Sequence, residues 1–217
     1  MKRTILLLTV CILGIGALAQ ENANSNYLFD TFQRGTVYYK DGRQFVVDLN
    51  YNPIIKKFLF IDVSYNNSIK EFGEPELVTL IKTGDRTFLH DKNKIREVLQ
   101  IEPPLLVQYN AIVKDKGRKA GYGGYSTTSA IESYAGIHSG GVYHEFAKQD
   151  RYSLSRLSKI YYIEYNKKKK CFATAKEFLK IFPEHKASLQ KHIEDNQTNF
   201  NSIEQVIQLY NYAVSLK

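Results

Sequence analysis

Residues 36–49 read TVYYKDGRQFVVDL, in which Asp41-Gly42 separates two runs rich in β-branched and aromatic residues. An Asp-Gly pair between such runs favours a tight β-hairpin, because both turn residues must tolerate positive φ. Asn52-Pro53 then interrupts the chain, and residues 57–62 form a third apolar run. The three runs together predict an antiparallel meander.

A second hairpin is predicted further along the chain. Residues 76–82 and 86–90 lie on either side of Thr83-Gly84-Asp85, where glycine supplies the backbone angles that a turn needs. Residues 95–101 and 105–113 are two more apolar or alternating runs. Prolines separate these two runs, and proline cannot sit inside a central strand, so we expect one strand on each side.

The β-rich part ends with residues 152–157 and 160–165, which predict a closing hairpin or an edge pair. About seven short strands at this spacing, with no long helical pattern between them, favour antiparallel sheets. The sequence therefore predicts an antiparallel β-rich sandwich or partly open barrel.

The last part of the chain has the pattern of helices. Thr174 and Glu177 have the spacing of a capping box, as do Ser202 and Gln205. An apolar stripe with helical spacing follows the second box at Ile203, Val206, Ile207, Tyr210 and Val214. Three short amphipathic helices need a surface to bury against, and the sheet provides one. We expect an α+β fold with a three-helix C-terminal segment.

The segment CFATAKEFLKIFP at residues 171–183, with the helices after it ending in Gln208-Leu209-Tyr210-Asn211-Tyr212, carries a resemblance. It resembles the C-terminal tail of small exported proteins of unknown function from Bacteroidota-type bacteria. The resemblance covers roughly the last quarter of the chain. It implies an envelope or secreted location and no known activity, so no functional residue is carried over.

The first residues have the order of a secretory signal peptide. Lys2 and Arg3 precede an apolar run at residues 5–18, and Ala17-Leu18-Ala19 offers a cleavage site before a polar stretch. The run is shorter than the ~20 apolar residues that span a bilayer, so we expect no transmembrane segment in the mature chain. The expected location is the periplasm, the outer-membrane face or the medium.

These features divide the chain into four parts. They are a signal peptide at 1–19, a polar leader at 20–26, a β-rich domain at 27–170 and a helical tail packed on the sheet at 171–217. Cleavage would remove Cys11 and leave Cys171 alone, so no internal disulfide is expected.

The mature chain keeps a positive charge. Loss of Lys2 and Arg3 lowers the formal net charge from +8 to +6. Such an excess favours anionic partners through long-range attraction, while an exported chain seldom meets nucleic acid. Candidate partners are thus an envelope protein or polymer, or an anionic envelope surface, and nucleic acid is not expected.

A lysine run precedes the remaining thiol. Residues 167–170 are all lysine, and their charge favours the thiolate form of Cys171 that acts as a nucleophile. A nucleophile also needs a base, and the sequence identifies none. The alternative is a lysine-rich turn with Cys171 half-buried, and such a run also protects a sheet edge from pairing with other chains.

Residues 116–149 form a Gly/Tyr-rich loop. A loop of this length within a domain is uncommon and is either functional or mobile. Burial in a core does not readily account for the tyrosines of this loop, which are candidates for contact with a glycan or a protein. They are Tyr122, Tyr125, Tyr134 and Tyr143.

The same loop holds a cluster of metal-ligand side chains, His138, His144 and Glu145. Two imidazoles and a carboxylate can fill three positions of a zinc site and leave the fourth for water. The spacing does not match the helical zinc signature, so solvated histidines in a loop are the alternative. No other cofactor is indicated.

Three functional hypotheses result. The first is a non-catalytic envelope protein that binds a partner or polymer through the Gly/Tyr-rich loop. The second is a metal-dependent hydrolase centred on His138, His144 and Glu145. The third is a peripheral protein that binds anionic envelope surfaces.

Overall fold

The computed structural model of this protein describes residues 26–91, 94–115, 118–119, 125–126 and 152–216. The strands are β1 (Gln33–Tyr39), β2 (Gln44–Asn52), β3 (Lys57–Asp62), β4 (Ser68–Glu71), β5 (Val78–Thr83), β6 (Arg86–Asp91), β7 (Lys94–Gln100), β8 (Leu105–Asp115), β9 (Arg118–Lys119), β10 (Tyr125–Ser126), β11 (Tyr152–Tyr165) and β12 (Lys168–Phe172). The helices are α1 (Ala175–Ile181), α2 (Lys186–Asp195) and α3 (Ile203–Ser215).

Ten of these strands form one antiparallel sheet in the order β12-β11-β8-β7-β6-β5-β1-β2-β3-β4. After β4 the chain does not continue at that edge. It returns to place β5 beside β1, which puts β1 in the interior of the sheet and leaves β4 and β12 as its two edges. The predicted fold class, an open β-rich structure with three C-terminal helices, is confirmed.

The predicted hairpins are present. β1 and β2 pair with Thr36 opposite Val46, and Gly42 adopts φ +90° in the turn between them. Gly84 adopts φ +56° between β5 and β6. The two glycines therefore lie where the turns require positive φ.

The sheet curls strongly at its N-terminal half. The rings of Phe58 in β3 and Phe88 in β6 lie 5.0 Å apart, centroid to centroid, although three strands separate β3 from β6 in the sheet. Phe29 packs against the same Phe88 ring at 6.2 Å. Such contacts require one face of the sheet to close upon itself, as in a partly open barrel.

The other half of that sheet face is covered by the helices. Tyr161 stacks on Phe172 at 5.4 Å, and Phe172 contacts Phe178 of α1 at 4.9 Å. A single cluster of buried residues joins this region to the curled half. No helix in the described part of the chain is both long and apolar enough to span a membrane.

Both predicted capping boxes are present in part. Thr174 Oγ1 accepts a hydrogen bond from Glu177 N at 3.3 Å, and Glu177 Oε2 accepts one from Ala173 N at 2.7 Å. At α3, Ser202 Oγ accepts from Gln205 N at 3.4 Å. The Gln205 side chain turns further back, to Asn199 N at 2.7 Å.

One strand prediction was wrong. The runs at 152–157 and 160–165 are not a hairpin, because residues 152–165 form the single fourteen-residue strand β11, which pairs with β8. The two polar residues between the runs are accommodated within the strand. Ser158 Oγ donates to Asn110 O at 3.5 Å, and Lys159 Nζ donates to Asn201 O at 2.6 Å.

Only the first residue of the lysine run lies in a turn. Asn166 and Lys167, with φ of 51° and 58°, form the turn, and Lys168 to Lys170 belong to the edge strand β12. Cys171 is exposed, not half-buried, because it alternates with the buried Phe172 on that strand. The run does occupy a sheet edge.

Candidate functional site

The site residues predicted from the sequence fall mostly outside the described residues. Of the four tyrosines, only Tyr125 is described, in β10, where its backbone pairs with Lys119 of β9. Tyr122, Tyr134 and Tyr143 lie outside the described residues, as do His138, His144 and Glu145. The loop hypotheses therefore stay predictions.

The described residues instead line a half-open cavity of about 410 Å³ inside the curl of the sheet. One wall comes from β3, β4 and the segment after β4, and the other comes from β5, β6 and β7. The apolar lining residues are Phe58, Phe72, Val78, Ile81 and Ile95. A small molecule that entered this space would lie against side chains from both halves of the curled sheet.

The chain returns from β4 to β5 along one wall of this space, where Phe72 and Pro75 line it. β4 is an edge strand, and the segment after it crosses to β5 through a 3-10 turn at Pro75–Leu77 instead of pairing with β5. Several contacts hold this crossing segment to the sheet, among them two hydrogen bonds to its backbone carbonyls. Tyr39 donates its hydroxyl to Gly73 O at 3.0 Å, and Lys40 Nζ donates to Glu76 O at 2.9 Å.

An ion pair lies at the cavity wall. Lys57 Nζ and Glu71 Oε2 are 2.8 Å apart, and the two side chains are 33% and 19% exposed. The second carboxylate oxygen, Glu71 Oε1, is buried and has no hydrogen-bond partner within the described structure. An ionised oxygen in this state is unfavourable unless a donor reaches it.

His90 adds a second polar group to the lining. Its Nδ1 lies 3.0 Å from Val78 O. Because a carbonyl oxygen only accepts hydrogen bonds, Nδ1 carries the hydrogen and donates it. In the neutral ring, Nε2 is then a hydrogen-bond acceptor.

A buried charge network lies on the same face of the sheet. Arg86 donates to both carboxylate oxygens of Glu97, at 2.6 and 2.7 Å, and Tyr109 donates its hydroxyl to Glu97 Oε2. Burial alone would lower the pKa of Arg86, but its bonds to Glu97 outweigh this effect and raise that pKa. Burial and the Glu97 charge raise the pKa of Tyr109.

Arg86, Glu97 and Tyr109 satisfy one another's hydrogen-bonding groups, and aromatic rings stacked on Arg86 add to the stability of the network. The Arg86 guanidinium carbon lies 4.7 Å from the centroid of the Phe29 ring and 5.2 Å from that of Phe88. A bidentate pair with an aromatic shell fixes the strands on which it lies. We therefore assign the network to stability rather than to ligand binding.

Cys171 lines a second cavity of about 400 Å³ on the opposite face of the sheet. Arg96 lies there with its guanidinium carbon 4.5 Å from the centroid of the Tyr162 ring. The lining described for this cavity includes carboxylates, lysines and no histidine. Within the part of the chain that the structure describes, no three His, Cys, Asp or Glu side chains are grouped to hold a metal ion.

No family model, no curated protein and no solved structure matches this chain. The class of protein is therefore described from the geometry alone. This is an α+β protein in which an open, strongly curved antiparallel sheet forms a half-open cavity lined by apolar side chains, an ion pair and a histidine.

Proposed function

We propose that this chain is a non-catalytic binding protein and that its ligand is a small, largely apolar molecule held in the cavity inside the curled sheet. The observation that carries the proposal is the cavity itself. Its volume of about 410 Å³ falls in the range of about 300–1,000 Å³ that is usual for ligand sites. Its lining, mostly apolar with a few polar groups, also has the composition of such sites.

We further propose that the protein works outside the cytoplasm, in the periplasm, at the outer-membrane face or in the medium. The support is the order of charged, apolar and small residues at positions 2–19, together with the resemblance of residues 171–183 to exported proteins. An apolar ligand suits that location, since the envelope is rich in lipids. Contact with an envelope protein or polymer through Tyr122, Tyr125, Tyr134 and Tyr143 belongs to the same proposal and is supported by composition.

The test of the cavity uses a neutral apolar fluorophore, N-phenylnaphthylamine, titrated into the purified protein. We expect saturable binding with increased emission. Ile95→Phe fills the cavity and should abolish the signal, because Ile95 lines it. Leu89→Phe is the matched control, since Leu89 lies on the neighbouring strand, is 38% exposed and does not line the cavity.

Two results would contradict the proposal. One is the absence of saturable binding to the unmodified protein. The other is equal binding by Ile95→Phe and by the unmodified protein, which would place the fluorophore elsewhere. Circular dichroism on both variants checks that each retains the fold.

A further inference from the structure

We propose that the lysines of β12, α1 and α2 dock this protein onto a bilayer surface that contains anionic phospholipids. Residues 167–191, which hold these lysines, are called the lysine patch. This inference goes beyond the proposed function and does not depend on it. It follows from the distribution of charge over the molecule and not from the cavity inside the curled sheet.

The first step is the concentration of charge in the lysine patch. It contains eight lysines, two glutamates and no arginine or aspartate, so its net charge is +6 of the +8 carried by the whole chain. The rest of the chain is therefore close to neutral in sum. The field that attracts anions to this protein comes largely from one segment.

The second step is that the fold keeps these lysines together. β12 is an edge strand of the sheet, and Lys168, Lys169 and Lys170 are exposed on it. The helix α1 follows β12 in the chain and packs against it, with the rings of Phe172 and Phe178 4.9 Å apart. The next helix, α2, in turn contacts α1. The basic side chains of the three elements thus lie at one edge of the molecule.

The third step is a half-open groove between α1 and α2. Lys176 and Lys180 lie four residues apart on α1 and so share one face of that helix, while Lys186 is the first residue of α2. All three lysines are exposed. The groove is lined by these lysines and by Ala175, Leu179, Pro183 and Gln190, with no acidic residue in the lining. Ammonium groups around one groove repel one another, and an anion placed among them offsets that repulsion.

The fourth step is the choice of lysine as the only strong base in the patch. Arginine, with its planar fork, suits bidentate recognition, and protein interfaces are enriched in arginine and depleted in lysine. Single-stranded nucleic acid is bound by stacking on aromatic rings, but the rings of Phe172, Phe178 and Phe182 are buried. Lysine is a point charge on a flexible stem, which suits a surface of many anionic headgroups without fixed geometry.

The test is sedimentation of the purified protein with phospholipid vesicles. One preparation is phosphatidylcholine alone, and the other is an equal mixture of phosphatidylcholine and phosphatidylglycerol. We expect the protein to sediment with the anionic vesicles and much less with the neutral ones. Raising the salt from about 0.1 M to about 1 M should release it, because the Debye length falls from about 10 Å to about 3 Å.

A triple variant tests the position of the contact. It combines Lys176→Gln, Lys180→Gln and Lys186→Gln, the three lysines of the groove. Each lysine near an anionic surface strengthens binding up to about fivefold, so the partition coefficient on anionic vesicles should fall by at least about tenfold.

A second triple variant is the matched control. It combines Lys82→Gln, Lys94→Gln and Lys114→Gln, which removes the same charge from exposed positions on β5, β7 and β8. Its partition coefficient should fall by less than about threefold, because these lysines lie outside the lysine patch and contribute only through the net charge. All three proteins share one N-terminus, so any contribution of residues 5–18 to vesicle binding is the same in each.

Several results would overturn the proposal. They are equal losses in the two triple variants, binding to anionic vesicles that does not exceed binding to neutral ones, and binding that added salt leaves unchanged. Salt-sensitive binding to polyglutamate without binding to vesicles would overturn it too, since the lysine patch would then serve an acidic polymer. The vesicle and salt series on the unmodified protein decides the matter even if a variant does not fold. Binding of N-phenylnaphthylamine is measured separately, so failure here is distinct from failure of the proposed function.

Discussion

Asp115 of β8 and Tyr152 of β11 lie opposite each other as register partners, although residues 116–151 separate them in the sequence. From this pair the two strands continue side by side to Leu105 and Ile163, with one bulge between Leu154 and Arg156. The Asn26 side chain accepts a hydrogen bond from Leu154 N at 2.9 Å at this bulge. Strand pairing therefore holds Asp115 and Tyr152, the described residues on either side of segment 116–151, at neighbouring positions.

Deletion of residues 121–143 should leave the fold intact and abolish partner contact. Asp115 and Tyr152 already pair on either side of the connection, and a shorter loop has a smaller closure entropy. We expect Tm to change by less than about 3 °C, measured by circular dichroism. In-cell crosslinking of the tagged protein should lose its captured partners.

A second variant separates the length of that loop from its tyrosines. Replacing Tyr122, Tyr125, Tyr134 and Tyr143 by serine keeps the length and should also lose the partners. Loss of cooperative unfolding after the deletion would show that the loop belongs to the core. Retained capture by the serine variant would remove these tyrosines from the contact.

Phe88→Ala should destabilise the curled half of the sheet. Phe88 is 1% exposed, and its ring contacts both Phe58 and Phe29, so its loss leaves a cavity where the two halves of the curl meet. The expected decrease in the free energy of unfolding is about 3–5 kcal/mol, from urea titration. Phe45→Ala is the control, because Phe45 is 43% exposed, and it should cost less than about 1 kcal/mol.

Glu97→Gln should also be strongly destabilising. It leaves the Arg86 charge, with only 27% of its side chain exposed, without a counter-charge. Removing one partner of a buried pair costs about 3–5 kcal/mol in the free energy of unfolding. Asp48→Asn breaks the exposed pair with Arg34 and should cost about 0–1 kcal/mol. Equal decreases in the free energy of unfolding of the two variants would contradict the stabilising role assigned to the Arg86–Glu97–Tyr109 network.

The sequence predicted those features of the fold that depend on neighbouring residues. Asp41-Gly42 marks a turn because the backbone angles of two adjacent residues decide it, and Thr174 marks a helix start because its partner lies three residues away. The strand β11 was misread because Ser158 and Lys159 find partners on other elements. No local pattern contains that information.

The candidate site could not be predicted from local patterns either, because its residues are brought together from distant parts of the sequence. Phe58 and Ile95 were recognised as strand residues, but the curl that makes them walls of one cavity depends on β5 returning to pair with β1. Lys57 and Glu71 meet only because β3 and β4 pair, and one unmade hydrogen bond at Glu71 becomes visible only then. The sequence did place His90 at a strand end, where its ring reaches Val78 O.

The stability of the protein should fall in alkaline solution, through its buried tyrosines. Burial raises the pKa of Tyr161 from 10.0 to about 12, and its hydroxyl donates to Phe200 O at 2.9 Å. Burial also raises the pKa of Tyr51, and burial with the charge of Glu97 raises that of Tyr109. The folded state thus holds these protons more tightly than the unfolded chain does.

The sign of the effect follows from that difference. The stabilisation is fully present below pH 10, where tyrosine is protonated in both states, and for Tyr161 it is lost as the pH rises towards 12. The free energy of unfolding, measured by urea titration at a series of pH values, should therefore decline over this interval. Tyr161→Phe should lower the free energy of unfolding by about 1 kcal/mol at neutral pH, because a hydrogen bond is lost. The free energy of unfolding of this variant should decline less above pH 10 than that of the unmodified protein. Tyr65→Phe, at a residue that is 68% exposed, should follow the unmodified protein. A Tyr161→Phe profile parallel to that of the unmodified protein would assign the alkaline loss to other groups.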